Sequence, residues 1–272
     1  MRHKILPYVL RSLLSNPDGG GIGLTEWRKS AEKMAESLAR KFGLRVTRYK
    51  YFPYYDRQGV EIIESVKPYT MTDPERIFAL INCVRYIVQS KIPGDIVECG
   101  VWRGGSMMAA AKVLLSLNES SRRLYLFDTF EGMPKPSEKD ISYDGRHASE
   151  LFKARTKSFM SFATLRDVKD NMSKVGYERS KIHFVKGLVE ETIPARAPTR
   201  ISLLRLDTDL YSSTRHELQH LFPRLSHGGV IVVDDYGYWL GSRKAMDEYM
   251  VANKIKLLLH ITSEGAAIGV KI

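Results

Sequence analysis

Cysteine is scarce in this chain of 272 residues: Cys83 and Cys99 are the only two, and they do not form a metal-ligand spacing. The apolar stretch near the amino terminus, residues 5–14, is interrupted by Arg11 and is too short to span a bilayer. No small-residue cleavage site clearly follows it. These absences argue against a disulfide scaffold, a cysteine-based zinc site and a membrane-inserted protein. We therefore expect two reduced core thiols and a cytoplasmic location.

Charge is unbalanced, with a formal net charge of +11. Such a charge can attract nucleic acid, anionic lipid or an anionic ligand. However, the basic residues are spread over predicted helices and loops, and no dense basic tract is interleaved with aromatics. The pattern favours a generally basic surface, and we expect no nucleic acid partner.

Short apolar runs alternate with helical patterns along most of the chain. Strands are predicted at residues 95–99, 123–128, 181–186, 201–206 and 230–233, with a terminal pair at 256–262 and 266–272. Helices are predicted at residues 25–42, 72–90, 106–117, 213–225 and 242–253, with more helix within 150–176. This alternation predicts an α/β fold with a doubly wound, mostly parallel seven-stranded sheet and an antiparallel C-terminal hairpin strand. Residues 1–70 are expected to form a helical and aromatic arm and lid, and residues 71–272 the main domain.

Paired acids follow two of the predicted strands. Asp207 and Asp209 come directly after one apolar run, and Asp234 and Asp235 end another. Ligands of open α/β sheets bind at the carboxyl ends of strands, so these four carboxylates can converge at one edge. Crowded carboxylates repel one another, and Mg²⁺ prefers oxygen ligands, so a divalent cation would relieve the conflict. Two alternatives stay open: Asp207 or Asp209 could cap the following helix, and Asp234 with Asp235 could simply form a turn.

A glycine-rich turn and an acid mark a second feature of the same edge. Gly100, Gly104 and Gly105 follow the first strand and open a helix, which allows backbone to approach a ligand closely. Their spacing departs from the dinucleotide fingerprint and lacks the lysine of a P-loop. Asp128 ends the next strand, where an acid typically binds ribose hydroxyls, although it could also be a turn or cap acid. Together they suggest an adenosine-containing cofactor.

These stretches carry a family resemblance. The chain resembles the macrocin O-methyltransferase family of class I S-adenosylmethionine-dependent methyltransferases, which methylate sugar hydroxyls of natural products. The matching stretches are PYTMT (68–72), IPGDIVECGVWRGGSMM (92–108), LYLFDTFEGM (124–133), HFVKG (183–187), LRLDTDLYSSTRHEL (204–218) and GGVIVVDDYG (228–237). They occur in the expected order over about residues 69–249, whereas the first 60 or so residues are less diagnostic.

The resemblance implies a Mg²⁺-dependent O-methyltransferase that uses S-adenosylmethionine on a hydroxyl of a sugar or glycosylated small molecule. The implied cofactor contacts are Tyr69, Met71, Glu98, Gly100, Ser106, Asp128, Gly187 and Leu188. The implied metal ligands are Asp207, Asp234 and Asp235, which leaves Asp209 as general base. His147, in the long polar loop before the helical region, is an alternative proton acceptor or a solvated loop residue.

Other interpretations remain at this point. The two acid pairs also resemble those of a haloacid dehalogenase-like phosphatase, although the first pair comes late in the chain. A basic nucleic-acid-binding module or an RNA methyltransferase would account for the charge. A homodimer formed through the N-terminal arm is expected. The sequence does not identify the acceptor or the hydroxyl that is methylated.

Overall fold

The computed structural model describes residues 51–154, 162–262 and 265–272, without the side chains of 152–154. The predicted helix over 25–42 and most of the predicted N-terminal arm lie outside these residues, as do Ser263 and Glu264 in the predicted terminal turn. All the elements below belong to one compact unit, Tyr54–Ile272.

The described residues form helices and strands in alternation. The helices are α1 (Arg57–Val66), α2 (Pro74–Gln89), α3 (Gly105–Ser116), α4 (Ala148–Ala154), α5 (Leu165–Ser173), α6 (Val189–Thr192), α7 (Tyr211–Leu221) and α8 (Leu240–Ala252). The strands are β1 (Asp95–Cys99), β2 (Leu124–Asp128), β3 (Ile182–Lys186), β4 (Ile201–Leu206), β5 (Leu225–Val233), β6 (His260–Ile261) and β7 (Ala267–Val270).

The strands form one seven-stranded sheet in the order β3-β2-β1-β4-β5-β7-β6. Strands β1 to β5 pair in parallel, and β7 is antiparallel to both β5 and β6. The predicted fold class, including the antiparallel C-terminal strands, is therefore confirmed. The order of the strands reverses between β1 and β4, which is where open α/β sheets bind their ligands.

Strand register aligns the residues that matter for a site. Cys99 pairs with both Phe127 and Leu206, and Leu206 pairs with Val233. The residues that follow these positions are Gly100, Asp128, Asp207 and Asp234. The register therefore brings the glycine turn and both groups of acids to one edge of the sheet.

The core is centred on β4, whose six residues are all buried. Leu204 and Leu206 pack with Leu218 of α7 and Met246 of α8 in one apolar cluster. Each fully buried leucine contributes roughly 1.5–3 kcal/mol to stability. This packing fixes the carboxyl end of β4, and with it the position of the acids that follow.

Helix α2 begins close to its predicted start. Asp73 is the N-cap, and its carboxylate accepts hydrogen bonds from the backbone N–H groups of Glu75 (2.8 Å) and Arg76 (3.1 Å). Pro74 occupies the first turn, where its missing N–H has no partner to lose. Helix α1 was not predicted; it is capped by Asp56 and buries Gly59, Ile62, Ile63 and Val66.

Candidate active site

A cavity of about 520 Å³ opens at the carboxyl ends of the parallel strands. The predicted cofactor residues in its wall are Tyr69, Met71, Gly100, Ser106, Asp128, Gly187 and Leu188. The predicted acids in its wall are Asp207, Asp209, Asp234 and Asp235. The remainder of the wall is largely apolar and includes Met133, Pro134, Phe162, Tyr238 and Trp239. Two sets of residues predicted separately from the sequence thus share one cavity.

The glycine turn after β1 has a backbone that only glycine can supply at its first position. Gly100 has φ +80°, and a Cβ there would lie 1.9 Å from the carbonyl oxygen of Asp207. Gly104, at φ +89°, is the N-cap of α3. Because glycine has no Cβ and tolerates left-handed φ values, the turn can pack directly against the loop after β4. The predicted cofactor turn and the predicted metal loop are therefore in backbone contact.

Asp128 shapes this turn. Its Oδ2 accepts hydrogen bonds from the backbone N–H groups of Val101 (2.7 Å) and Trp102 (3.2 Å), and its Oδ1 accepts one from Phe130 (2.7 Å). The alternative that Asp128 is a turn acid is thus correct, and it is compatible with a role in ligand binding. Each carboxylate oxygen has more than one acceptor site, so a ligand hydroxyl can still be bound at the cavity wall.

The segment before α2 covers the turn. A Cβ on Gly105 would lie 2.5 Å from the carbonyl oxygen of Tyr69 and 2.6 Å from Cβ of Thr70, so this segment is packed closely on the start of α3. The Tyr69 hydroxyl accepts a hydrogen bond from Lys174 at 3.3 Å. Met71 is 65% exposed and lines the cavity. An apolar ligand moiety could therefore cover Met71.

Glu98 has a different environment from the other predicted cofactor residues. It is buried, is not among the cavity-lining residues, and its Oε1 accepts a hydrogen bond from Nη1 of Arg205 at 2.7 Å. Burial raises the pKa of Glu98 to about 8. Its contact with a cofactor stays a prediction, whereas its ion pair with Arg205 was not predicted.

Three acids form a potential metal-binding cluster. One carboxylate oxygen from each of Asp207, Asp234 and Asp235 lies within 4.8 Å of the other two. Burial, reinforced by the neighbouring Asp209 carboxylate, raises the pKa of Asp235 well above its ordinary range. Arg205 contacts both Asp207 and Asp234, and Arg76 contacts Asp234, but within the described part of the chain no arginine or lysine forms an ion pair with Asp235. The donor set and its excess of negative charge fit a hard divalent cation.

Asp209 lies beside this cluster in a left-handed backbone conformation, with φ +64°. Its N–H donates to Oδ2 of Asp235 at 3.1 Å, and its carboxylate is hydrogen bonded to the side chain of Trp239. Burial raises the pKa of Asp209 to about 7. No local sequence pattern distinguishes Trp239 from the other aromatic residues as a partner of the predicted base.

The helix-cap alternative for Asp207 and Asp209 is wrong. Helix α7 begins at Tyr211 after Leu210, and neither acid caps it. Instead, Oδ1 of Asp140 accepts a hydrogen bond from the N–H of Tyr211 at 2.7 Å. Asp140 is fully buried and comes from the long polar loop, so it fixes this loop to the start of α7 and leaves the predicted site acids free of capping.

His147 lies in the same polar loop but outside the cavity wall. Its backbone forms an isolated bridge with Ile141, and its side chain is half-buried. The structure does not bring it among the lining residues, and its role in proton removal stays a prediction.

The sheet order and a cavity at this edge define a class I methyltransferase fold. The O-methyltransferase NovP has a solved structure that aligns with TM-score 0.67 and 28% identity, over 75% of this chain and 82% of that one. The SAH-bound Podospora anserina methyltransferase PaMTH1 shares the fold alone, with TM-score 0.51 and 14% identity, over 83% of this chain and 99% of that one.

Residues 21–267 match the family model described as Macrocin-O-methyltransferase (TylF), and the chain belongs to this family. A tetracenomycin rhamnosyl 4'-O-methyltransferase of Streptomyces olivaceus is 34% identical over 62% of this chain and 62% of its own length. The mycinamicin III 3''-O-methyltransferase of Micromonospora griseorubida is 33% identical over 66% of this chain and 70% of its own. The alignment thus spans about two thirds of these relatives. The predicted methyltransferase family is confirmed, and the phosphatase alternative has no support from these relatives.

None of the helices in residues 51–154, 162–262 and 265–272 is both long and apolar enough to cross a bilayer.

Proposed function

We propose that this protein transfers a methyl group from S-adenosylmethionine to a hydroxyl of a sugar on a glycosylated small molecule, with the assistance of Mg²⁺. The observation that carries the proposal is the shared cavity, in which a cluster of three acids lies next to the glycine turn and Asp128. Family membership supports the reaction class, and the relatives named above act on oxygens of glycosylated natural products.

The residues divide into two groups. The turn at Gly100, with Asp128, Ser106 and Tyr69 around it, would hold the cofactor, whose sulfonium supplies the methyl group. Asp207, Asp234 and Asp235 would hold the cation, which supplies Lewis-acid assistance and makes a nearby hydroxyl easier to deprotonate.

The chain's own residues would then orient the acceptor and take its proton. The Asp209 carboxylate, fixed by the Trp239 side chain, is the proposed proton acceptor. The apolar wall, including Met71 and Phe162, would exclude water and hold the acceptor in line with the methyl group. Because methyl transfer is a displacement, most of the protein's contribution would be positioning.

The proposal extends to organisation. Residues 1–70 would act as an arm and lid on a methyltransferase domain of residues 71–272, and two copies would form a homodimer in the cytoplasm. Light scattering of the full chain measures the oligomeric state. An electrophoretic shift with RNA at physiological salt would count against the expected absence of a nucleic acid partner.

Methyl transfer to a panel of glycosides, followed by mass spectrometry, tests the reaction. Turnover should require Mg²⁺ and stop when a chelator is added. Asp207→Asn should abolish turnover while S-adenosylhomocysteine still binds, because the substitution removes a proposed metal ligand without touching the proposed cofactor site. Asp170→Asn, an exposed acid on α5, is the matched control and should retain activity. A near-normal rate for Asp207→Asn in the presence of chelator would rule out the metal-assisted reaction.

A further inference from the structure

Arg76 joins the segment that covers the glycine turn to the acid cluster. Its Nε donates to Oδ2 of Asp73 at 2.5 Å, and its Nη1 donates to Oδ2 of Asp234 at 2.6 Å. Asp73 is the N-cap of α2 and ends the covering segment, whereas Asp234 belongs to the cluster at the end of β5. One guanidinium thus holds two carboxylates that are far apart in sequence.

Arg205 makes a second connection of the same kind. Its Nη2 donates to Oγ1 of Thr72 at 3.1 Å and contacts Oδ1 of Asp234 at 2.8 Å. Its Nη1 donates to Oδ2 of Asp207 at 2.6 Å, and its side chain is buried. Each oxygen of Asp234 therefore contacts a different arginine, and both arginines also contact the covering segment. Groups that hold a metal ligand in this way fix the direction in which it presents its remaining lone pairs.

The other end of the covering segment is held by the glycine turn. Nη1 of Arg103, in that turn, donates to the carbonyl oxygen of Pro68 at 2.9 Å. The backbone of Tyr69 lies against Gly105, as described above, and residues 69–72 line the cavity. A ligand that orders this segment from the cofactor side would therefore also order Arg76 and, through it, Asp234.

We propose that Arg76 is a positioning residue that couples binding of the cofactor to binding of the cation, an inference that rests on the function proposed above. Arginine suits this role because its planar guanidinium can hold two carboxylates at fixed angles, which a lysine ammonium does not do. Coupling between two binding sites is reciprocal, so each ligand strengthens the binding of the other by the same factor.

Titration calorimetry of the full chain measures this factor. The Mg²⁺ dissociation constant is determined with and without saturating S-adenosylhomocysteine, for the wild type and for Arg76→Gln. In the wild type we expect S-adenosylhomocysteine to tighten Mg²⁺ binding by about fivefold or more. In Arg76→Gln the factor should fall close to one, while each ligand alone still binds.

Arg85→Gln is the matched control. Arg85 is on the same helix, its side chain is 19% exposed like that of Arg76, and it also pairs with an aspartate, Asp56. Because Asp56 lies away from the cavity wall, this variant should keep the wild-type coupling factor. Arg76→Lys, which keeps the charge but loses the two-way bridge, should lose coupling as Arg76→Gln does, and it replaces that variant if the glutamine protein does not fold.

Three results would overturn the proposal. They are an absence of coupling in the wild type, a wild-type factor in the folded Arg76 variant, and an equal loss of coupling in Arg85→Gln. Failure of S-adenosylhomocysteine or Mg²⁺ to bind the wild type at all would be a different result, because it would overturn the proposed function as well.

Discussion

At the scale of single residues, Asp128 does two things with one carboxylate. It holds three backbone N–H groups of the turns around it and faces the cavity. Asp128→Asn places an amide nitrogen opposite one of these donors. We therefore expect S-adenosylhomocysteine affinity to fall by roughly 10- to 100-fold, which corresponds to about 1.4–2.8 kcal/mol, as measured by calorimetry.

Asp95→Asn is the control for this substitution. Oδ1 of Asp95 also accepts a backbone hydrogen bond, from Arg123 at 2.9 Å, but at the opposite end of the strands. The affinity of the Asp95→Asn variant for S-adenosylhomocysteine should match that of the wild type. Unchanged affinity in Asp128→Asn would show that the carboxylate has no part in cofactor binding.

The residues of the candidate site were predictable to different degrees. Acids at strand ends could be found because the apolar run before them is a local pattern. Arg205 lies within a strand that was predicted to be buried, and an arginine at such a position normally needs an acidic partner. This signal was present in the sequence but was not used to predict the ion pairs of Arg205. The partner of Arg76, Asp234, is separated from it by 158 positions, and no local pattern connects them.

At the scale of elements, strands β1 and β4 occupy the predicted residues. Strand β5 was predicted to start at Val230, after the glycine pair Gly228–Gly229. It starts at Leu225, which pairs with Ile201 across an irregularity in register. Pairing with a neighbouring strand thus outweighed the local break. The terminal pair is shorter than predicted, since β6 contains only His260 and Ile261.

Helix α1 depends on an interaction that the sequence does not reveal. The Asp56 carboxylate accepts hydrogen bonds from the N–H of Gly59 at 2.8 Å and from Nη1 and Nη2 of Arg85 on α2 at 2.6 and 2.9 Å. The apolar residues of α1 can be recognised in the sequence. Its N-cap, Asp56, cannot be recognised in the same way, because this residue is also held by Arg85 of α2, a contact that only the folded structure shows.

Asp56→Ala should therefore destabilise the protein by about 1 kcal/mol, the usual cost of a lost N-cap. Hydrogen bonding to Arg85 lowers the pKa of Asp56 from 3.8 to about 2. A carboxyl with a lowered folded pKa stabilises the fold above its unfolded pKa and loses this contribution as pH falls through the folded value. The difference in unfolding free energy between wild type and variant should thus shrink from about pH 4 towards pH 2.

Urea unfolding followed by circular dichroism provides the measurement. Arg57→Ala removes an exposed pair with Glu61 on the same helix and should change stability by no more than about 0.5 kcal/mol. An Asp56→Ala difference that stayed constant with pH would show that the Arg85 pair does not stabilise α1.

At the scale of the whole molecule, the acids that are proposed to bind the metal are expected to destabilise the metal-free protein. Buried carboxylates that are not fully paired with basic side chains or a metal ion lower the stability of the fold. Asp235→Asn should therefore raise the melting temperature of the metal-free protein, by about 2–4 °C for each 1 kcal/mol of repulsion relieved. The same variant should lose the increase in melting temperature that Mg²⁺ gives the wild type.

Differential scanning calorimetry with and without Mg²⁺ distinguishes the two effects. A lower melting temperature for Asp235→Asn without metal would mean that the carboxylate stabilises the fold by itself. Asp170→Asn again provides the control, with no change expected in either condition.

The fold as a whole followed from the sequence because alternating strands and helices allow few topologies. The acceptor did not, because the cavity wall is assembled from Met71, Phe162, Trp239 and other residues on separate segments, and their joint shape is not a property of any one stretch. The net charge of +11 likewise specifies no site.

Gly237 and Gly265 illustrate what such a fold imposes on its own evolution. A Cβ on Gly237 would lie 2.6 Å from Cα of Gly265, and the N–H of Gly237 donates to the carbonyl oxygen of Gly265 at 2.7 Å. Gly237 is two residues after Asp235, so the backbone just before β7 packs against the loop that follows the acids. A larger residue at either position would clash unless the backbone at the other position moved. We therefore expect substitutions at Gly237 and Gly265 to depend on each other during evolution.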